Sequence, residues 1–168
     1  MRLCLLFLIF LLSGCVSNDA KTPVKEYLNA YQNHSDKVTV SLNELIKNEN
    51  LTKEQQDIYE LIMKKQYVDL AYHIDNVTYD GNKAIVTATI EVYDYNHSKE
   101  EAQKEYENNP ELNYKDLQLT YMKRENKRIK YTLSFSVYLD NDKWVIENPD
   151  YIMYTLRRKL MKRKLIDL

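Results

Sequence analysis

Glycine is almost absent from this sequence, and its scarcity limits the sites that the chain can form. Gly14 and Gly81 are the two glycines among 168 residues, and Gly14 lies near the apolar N-terminus. Phosphate-binding loops, dinucleotide fingerprints and serine nucleophile elbows need two or more glycines, because their backbone turns sharply or approaches a ligand closely. An EF-hand with Gly81 at its sixth position would have Thr87 where the bidentate glutamate belongs. These nucleotide, hydrolase and calcium sites are therefore excluded.

The first fifteen residues have the pattern of an export signal that ends in a cysteine. A charge at Arg2 precedes an uninterrupted apolar run of ten residues, 3–12, and Ser13, Gly14 and Cys15 follow it. A membrane-spanning helix needs roughly 20 apolar residues, so this run is about half a span. Its length and position indicate instead the apolar region of a secretory signal peptide.

The segment Leu12-Ser13-Gly14-Cys15 resembles the lipobox of bacterial lipoproteins. In that class a diacylglyceryl group is attached to the cysteine sulfur, and a signal peptidase cuts before the cysteine. The resemblance implies lipidation of Cys15, cleavage between Gly14 and Cys15, and a protein held by a lipid anchor on the extracytoplasmic face of the cell membrane. Each buried CH₂ group contributes about 0.8 kcal/mol, so two acyl chains anchor stably. The alternative is an ordinary secretory signal that contains a cysteine by chance.

These features divide the chain into a signal peptide at 1–14, a lipidated cysteine with a short tether at 15–22, and a single domain at 23–168. With Cys4 in the signal and Cys15 acylated, the domain would hold no disulfide, thiol redox centre or cysteine-based zinc site. Lysine and arginine number 24 against 25 aspartates and glutamates, for a net charge of -1. This balance and an exported location argue against nucleic acid as a partner.

The N-terminal third of the domain has a helical pattern. Apolar residues recur there at spacings of three and four, the period of a helix that buries one face. The pattern predicts three helices: one from Pro23 to about Gln32, one after Ser35-Asp36, and one opened by a capping box at 52–55. Another capping box, Ser98 with Glu101, predicts a short charged helix. Segment 112–127 fits a helix and a strand equally well.

Two β-hairpins are indicated by the alternation of apolar and polar residues. The first begins at about Tyr67 and turns at Asp80-Gly81, which is a strong hairpin signal. The second begins near Ile129 and turns at 140–142, and a terminal helix is predicted over 151–168. This order of elements predicts an α+β fold, in which the N-terminal helices pack on an antiparallel sheet and a basic helix follows at the C-terminus.

Three segments, 23–28, 80–95 and 131–145, resemble the uncharacterised lipoproteins of low-GC Gram-positive bacteria. Those proteins are similar to the NTF2-like, cystatin-like α+β roll, in which a curved sheet wraps around N-terminal helices. The resemblance implies this fold for the domain. It supplies no catalytic residues, because the family carries no invariant catalytic set.

The predicted inner faces of the hairpins carry few groups that could act chemically. NTF2-like enzymes place an acid, a base or a histidine inside the cone of sheet and helices, whereas tyrosine hydroxyls are the titratable groups expected there. His73 and Asp75 share a strand face and could pair as a base and its orienting carboxylate, but the alternation places both in solvent. His34 and His97 fall in predicted loops without ligand-spaced partners. We therefore expect no metal or cofactor.

The sequence contains 15 tyrosines, and several recur in the predicted helices and first strand. They could line a pocket for an apolar or carbohydrate-like ligand, since tyrosine offers a ring face and a hydroxyl. The interpretation that we favour is an ordinary core in a tyrosine-rich protein. The residues concerned are Tyr27, Tyr31, Tyr59, Tyr67 and Tyr72.

Two basic clusters could contact an anionic surface. One lies at 123–130 and includes Lys123, Arg124, Lys127, Arg128 and Lys130. The other lies on the predicted terminal helix and consists of Arg157, Arg158, Lys159, Lys162, Arg163 and Lys164. Near an anionic membrane each charge would contribute about 1 kcal/mol. The alternative is a solvated charged face.

The sequence as a whole predicts a non-enzymatic, lipid-anchored surface protein whose domain binds a small ligand or an envelope protein near the membrane. Two alternatives remain: an NTF2-like enzyme acting on a small or envelope-derived substrate, and a surface protein for immunity or phage exclusion. A buried acid or histidine in a deep cone would favour the enzyme. An open apolar cone would favour ligand binding, and a filled cone would favour interaction through the surface.

Overall fold

The computed structural model of the chain describes residues 19–151 and residue 155, and it confirms the predicted α+β class. In these residues the elements follow one another as α1 (Lys21–Gln32), α2 (Asp36–Asn48), α3 (Lys53–Val68), β1 (Ala71–Asp80), β2 (Lys83–Tyr93), α4 (Tyr95–Asn108), α5 (Tyr114–Arg124), β3 (Arg128–Asp140) and β4 (Lys143–Ile146). The strands form one sheet in the order β1-β2-β3-β4, and each neighbouring pair is antiparallel.

Both predicted hairpins are confirmed, and their turns have the backbone that their residues favour. Gly81 and Asn82 form the two-residue loop between β1 and β2, and Gly81 has a φ of 55°. Asn141 and Asp142 form the corresponding loop between β3 and β4, with φ values of 45° and 62°. Glycine, asparagine and aspartate tolerate this left-handed region, and it matches the twist of the strands.

The first three helices are also confirmed, and the capping box of α3 forms as predicted. The Thr52 hydroxyl accepts a hydrogen bond from the Gln55 N–H at 3.3 Å, and the Gln55 side chain accepts one from the Thr52 N–H at 3.0 Å. Helix α1 begins at Lys21, two residues before Pro23. The carboxylate of Asp19 accepts a hydrogen bond from the Lys21 N–H at 3.0 Å, so the folded domain includes Asp19.

The predicted start of the first strand was wrong. Helix α3 continues to Val68, so Tyr67 and Val68 are helical, and β1 begins at Ala71. Tyr67 lies four residues after Met63 and both are buried, so the helical spacing of the core residues extends into the predicted strand. Within β1 a register shift at Asp75 marks a β-bulge.

The predicted start of the fourth helix was wrong as well. Helix α4 begins at Tyr95, and the Asp94 carboxylate caps it by accepting a hydrogen bond from the His97 N–H at 3.3 Å. Ser98 is buried within the helix and does not cap it. The ambiguous segment 112–127 contains helix α5, whose first N–H groups donate to the side chain of Asn113.

Helix α1 packs on the inner face of the sheet and contacts both edge strands, β1 and β4. On one side the Tyr72 hydroxyl of β1 donates to Asn29 at 2.8 Å, and on the other the Tyr27 hydroxyl donates to the Pro149 carbonyl at 3.2 Å. The outer strands of a flat four-stranded sheet lie about 14 Å apart. Helix α1 therefore crosses the inner face of the sheet from one edge to the other.

The predicted terminal helix, 151–168, lies almost entirely outside the described residues. The backbone is helical at 149–151 and at Thr155.

Candidate functional site

The inner face of the sheet is packed with the chain's own side chains. Val86, Ala88, Ile90 and Phe135 are 0% exposed and belong to one core cluster with residues of α1, α2, α3 and α5. Val92, Leu133 and Val137 are buried as well, and Tyr131 is half-buried and packs against the same cluster, so the alternation predicted for the two hairpins is confirmed on β2 and β3. The inner face of the sheet is therefore filled.

Three of the tyrosines considered for a pocket, Tyr31, Tyr59 and Tyr67, are fully buried core residues. The Tyr31 ring forms edge-to-face pairs with the rings of Tyr27 and Tyr67, at centroid distances of 5.6 and 5.2 Å. Such edge-to-face pairs stabilise a core beyond the area that they bury. The core interpretation of these tyrosines is confirmed.

His73 and Asp75 both lie exposed on the outer face of β1, as predicted. The Asp75 carboxylate accepts a hydrogen bond from the Thr89 hydroxyl at 2.8 Å. Asp75 therefore has a partner on the neighbouring strand.

A buried carboxylate lies at the end of the sheet where β2 finishes and β3 begins. Oε2 of Glu125 accepts hydrogen bonds from the Ser98 hydroxyl at 2.7 Å and from Nδ1 of His97 at 2.8 Å. Its Oε1 accepts from the N–H groups of Asn126 at 2.9 Å and Lys127 at 2.8 Å. The Glu125 side chain is 5% exposed, against 30% for His97. We call His97, Ser98, Glu125 and Lys127 the His97 cluster.

Local structure places each member of the His97 cluster. The Asp94 cap starts α4, which puts His97 and Ser98 in its first turns. Glu125 follows the last residue of α5, and Lys127 precedes β3. The Asp94 N–H donates to the Lys127 carbonyl at 2.9 Å, which joins the β2–α4 connection to the α5–β3 connection. The cluster thus pins the α4–α5 helical hairpin to the sheet.

Hydrogen bonds stabilise the charged form of Glu125. Burial by itself would raise its pKa, but the donors His97, Lys127, Ser98 and Asn126 together hold the pKa below its ordinary value. Because Glu125 accepts at Oε2, the neutral His97 ring carries its proton on Nδ1. Nε2 of His97 lies 2.7 Å from Nζ of Lys127 and accepts from it.

The geometry of the His97 cluster limits its chemistry. Ser98 donates to Glu125, so its hydroxyl is not paired with the imidazole as a serine nucleophile would be. His97 is oriented by a carboxylate, as a general base is, but its Nε2 accepts from the Lys127 ammonium, so the ring could take a substrate proton only with Lys127 displaced. Within the described part of the chain, no group of three or more acidic, histidine or cysteine residues is placed to hold a metal ion.

Glu125 makes the stability of the domain depend on pH. Its folded pKa is lower than its unfolded value of about 4.5, so its contribution is present above pH 4.5 and is lost as the pH falls through the folded pKa. We expect Glu125→Gln to make stability fall less between pH 6 and pH 3 and to cost about 1–3 kcal/mol near pH 7. Urea unfolding at each pH measures both.

Glu111→Gln is the matched control for this prediction, because Glu111 is exposed. It should leave the free energy of unfolding within about 0.5 kcal/mol of wild type, since exposed substitutions have small effects. Identical pH dependence in Glu125→Gln and Glu111→Gln would contradict the role assigned to Glu125.

The first basic cluster lies around the same end of the sheet. Arg128 forms an ion pair with Glu91 at 3.2 Å, and Lys130 contacts the same carboxylate at 3.7 Å. Arg128 and Lys65 each lie over the Tyr93 ring, 5.2 and 4.5 Å from its centroid. Part of the cluster is thus engaged within the domain, whereas Lys123 and Arg124 are exposed.

Sequence reasoning missed the His97 cluster. It placed His97 in a loop without a partner, whereas His97 lies in a helix and pairs with Glu125, 28 residues away. The pairing depends on how α4 and α5 pack, and no spacing rule links the two positions. One signal was available: Asp94 is a cap residue that begins a helix one turn before Ser98.

The N-terminus of the described chain lies at the opposite end of the sheet. The Tyr79 hydroxyl, near the first hairpin loop, donates to the Asp19 carboxylate at 3.1 Å. Ala20 is 0% exposed, so the chain is packed into the domain from this point. Strand β2 connects this end to the His97 cluster, and its 11 residues span about 33 Å.

An open cleft of about 980 Å³ lies beside β4. Its lining includes Tyr138, Val145, Pro149 and Tyr151, together with the charged Lys83. Tyr138 and Val145 pair across β3 and β4 on the outer face of the sheet and are 39% and 37% exposed. The cleft thus adjoins a partly apolar outer surface.

The sites predicted at the two ends of the chain, which are the cleavage and lipidation positions Gly14 and Cys15 and the basic residues at 157–164, lie outside the described residues. In residues 19–151 and 155, no helix combines the length and the apolar character that crossing a membrane requires.

No protein-family model matches this sequence, and no curated protein matches it. Among solved structures, the chain is similar to the crystal structure of a "putative lipoprotein (ycdA)" from Bacillus subtilis, with 14% sequence identity and a TM-score of 0.39. The similarity covers 79% of this chain and 44% of the other, so this chain spans less than half the length of that protein. A similarity of this extent assigns neither a family nor a function.

Proposed function

We propose that this protein is a bacterial lipoprotein, anchored by acylated Cys15 on the extracytoplasmic face of the cell membrane, and that its domain binds a protein partner without catalysis. The observation that carries the anchor is the ten-residue apolar run that ends in Leu12-Ser13-Gly14-Cys15. A run of that length suits export and is too short to span a bilayer.

The described structure supports a short connection between anchor and domain. Asp19 is bonded to Tyr79 and Ala20 is buried, so three residues, 16–18, separate Cys15 from the folded domain. The four Cα–Cα steps from Cys15 to Asp19 reach at most about 14 Å. In the proposed arrangement the first hairpin loop faces the bilayer and the His97 cluster lies at the far end of the sheet.

An NTF2-like roll is the fold that we propose for the domain. Helix α1 lies on the inner face of the sheet and contacts both edge strands, which supports this assignment. The succession of helices, hairpin, helices and second hairpin supports it as well.

The filled inner face of the sheet favours a partner that binds the outer surface. A ligand in the cone would have to displace core residues such as Phe135 and Ile90, which are 0% exposed. On the outer face of the sheet, Ile85, Tyr138 and Val145 are 44%, 39% and 37% exposed, and the last two line a cleft. Exposed apolar side chains grouped in this way are typical of protein-binding surfaces.

Photo-crosslinking in living cells tests the partner-binding proposal. A photoreactive amino acid in place of Tyr138 should give a discrete protein adduct, whereas the same group in place of the exposed Glu107 on α4 should not. The absence of a protein adduct at both positions would overturn the proposal of a protein partner, and it is the result expected if the cleft holds a small ligand. Equal adducts at both positions would show that the outer face of the sheet is no more a binding surface than α4 is, which would contradict the proposed site.

Catalysis at the His97 cluster is the second candidate function, and one observation favours it. Glu125 orients the His97 ring as a carboxylate orients a general base, and displacement of the exposed Lys127 side chain would leave Nε2 open to a substrate proton. Complementation of a deletion strain separates the candidates: loss of function in His97→Gln with a normal Tyr138 adduct would favour catalysis. Normal function in His97→Gln would favour partner binding alone.

A further inference from the structure

The contact between His97 and Lys127 requires a neutral imidazole. A lysine ammonium can only donate, so Nε2 of His97 must accept across the 2.7 Å that separates it from Nζ. On the other side of the ring, the Glu125 carboxylate can only accept, so Nδ1 must donate. Both neighbours therefore select the same tautomer, with the proton on Nδ1.

Protonation of His97 would reverse this arrangement on one side of the ring and preserve it on the other. Nε2 would gain a proton and face the Lys127 ammonium, and two cationic donors cannot share a hydrogen bond at that distance. Nδ1 would still donate to Glu125, and the imidazolium would be stabilised by that carboxylate. The His97 ring would stay bonded to Glu125, and the Lys127 side chain would leave Nε2.

Lys127 is free to move in a way that His97 is not. Its side chain is exposed, whereas the His97 side chain is 30% exposed and bonded to a carboxylate that is itself 5% exposed. The Lys127 backbone is held at both ends, by its N–H on Glu125 and by its carbonyl on Asp94. Only the ammonium and its flexible stem would be released.

The charged groups around His97 come from each neighbouring segment. Glu125 and Lys127 lie in the connection from α5 to β3, Asp94 is the cap of α4, and Glu101 lies one turn further along α4. The Lys104 hydrogen bond is the main cause of the lowered pKa of Glu101, and the charges of His97 and Lys127 add to it. Glu101 is therefore near enough to attract Lys127 once the lysine leaves the ring.

We propose that His97 is a proton-operated latch for Lys127: neutral His97 holds the ammonium at Nε2, and protonated His97 releases it. Histidine is the side chain whose ordinary titration falls between about pH 5 and pH 8, so acidification across that range is the variable that tests the latch. The consequence is a second positive charge and a mobile ammonium at the end of the sheet opposite Asp19.

Nuclear magnetic resonance of protein labelled with ¹⁵N-histidine and ¹³C-lysine tests the latch. At about pH 8 we expect Nδ1 of His97 to be protonated and Nε2 to be the acceptor. As the pH falls to about 5.5, the Lys127 ε-CH₂ signal should shift to the position of an exposed lysine, together with the His97 ring signals. This range stays above the ordinary titration of carboxylates.

Two variants separate the latch from a general effect of acid. In His97→Gln the Lys127 signal should not change over the same range. Lys127→Met assigns the signal and should leave the Nδ1–H tautomer of His97 in place, because Glu125 also selects it. The Lys130 signal is the matched control, because Lys130 is an exposed lysine of β3 whose partner is Glu91.

Three results would overturn the proposal. They are a protonated Nε2 in neutral His97, a Lys127 signal that stays constant between about pH 8 and pH 5.5 in the wild-type protein, and an equal shift of that signal in His97→Gln.

Discussion

Replacing Cys15 by alanine is expected to abolish acylation and to release the protein from the membrane. The lipobox resemblance makes the Cys15 sulfur the point of attachment, so the variant has no thiol at that position. Each buried CH₂ group of an acyl chain contributes about 0.8 kcal/mol, and two chains give stable binding. Cells grown with an alkyne fatty acid and then fractionated should show the label and the protein leaving the membrane together.

Cys4→Ala is the matched control, because Cys4 lies within the apolar run that the proposed cleavage removes. It should retain full labelling and membrane association. Label that persists in Cys15→Ala would contradict the anchor, and label that is lost in Cys4→Ala would point to the other cysteine.

Replacing Phe135 by alanine is expected to destabilise the domain more than Glu125→Gln does. The Phe135 side chain is 0% exposed and its ring lies 6.0 Å from that of Tyr27, at the contact between the sheet and α1. Truncation of a buried phenylalanine costs about 3–5 kcal/mol, a large share of the roughly 5–15 kcal/mol by which domains are stable. Urea unfolding followed by circular dichroism measures the loss.

Tyr138→Ala tests whether the loss of stability expected for Phe135→Ala is specific to the filled inner face of the sheet. Tyr138 lies on the same strand but on the outer face, and it is 39% exposed. Its replacement should cost about 1 kcal/mol or less, the range of a cross-strand side-chain pair. Similar losses in the two variants would mean that the inner face of β3 is not the core.

The sheet was predictable because its signals are local. Period-two alternation, Gly81 at one turn and Asn141-Asp142 at the other each act within a few residues, and both hairpins formed as expected. The capping box at Thr52 is equally local and also formed. The α+β class follows from the order of such elements.

The predicted boundaries of helices and strands were wrong where two local signals competed. Asp94 and Ser98 are both good cap residues, and Asp94 begins the helix, which leaves Ser98 to donate to buried Glu125. Val68 continues the alternation of the strand but is 53% exposed, whereas Tyr67 keeps the helical spacing of α3 and is buried, and this packing decides for the helix. In both cases tertiary contacts decided the outcome.

The His97 cluster could not be predicted because its contacts are not local. In the sequence, Glu125 looks like an ordinary surface carboxylate among the basic residues of segment 123–130. Only the return of α5 beside α4 brings it to His97 and turns it into a buried acceptor of four hydrogen bonds. The predicted lipidation site has the opposite character, because it depends on fifteen contiguous residues.

The mass of the N-terminal tryptic peptide of the protein, purified from membranes, tests the anchor most directly. Trypsin cuts after Lys21, so we expect a peptide of residues 15–21 that begins at Cys15 and carries a diacylglyceryl thioether. Loss of residues 1–14 and the added lipid mass would appear in the same spectrum. A peptide with an unmodified Cys15 thiol, or one that begins elsewhere, would contradict the proposed anchor.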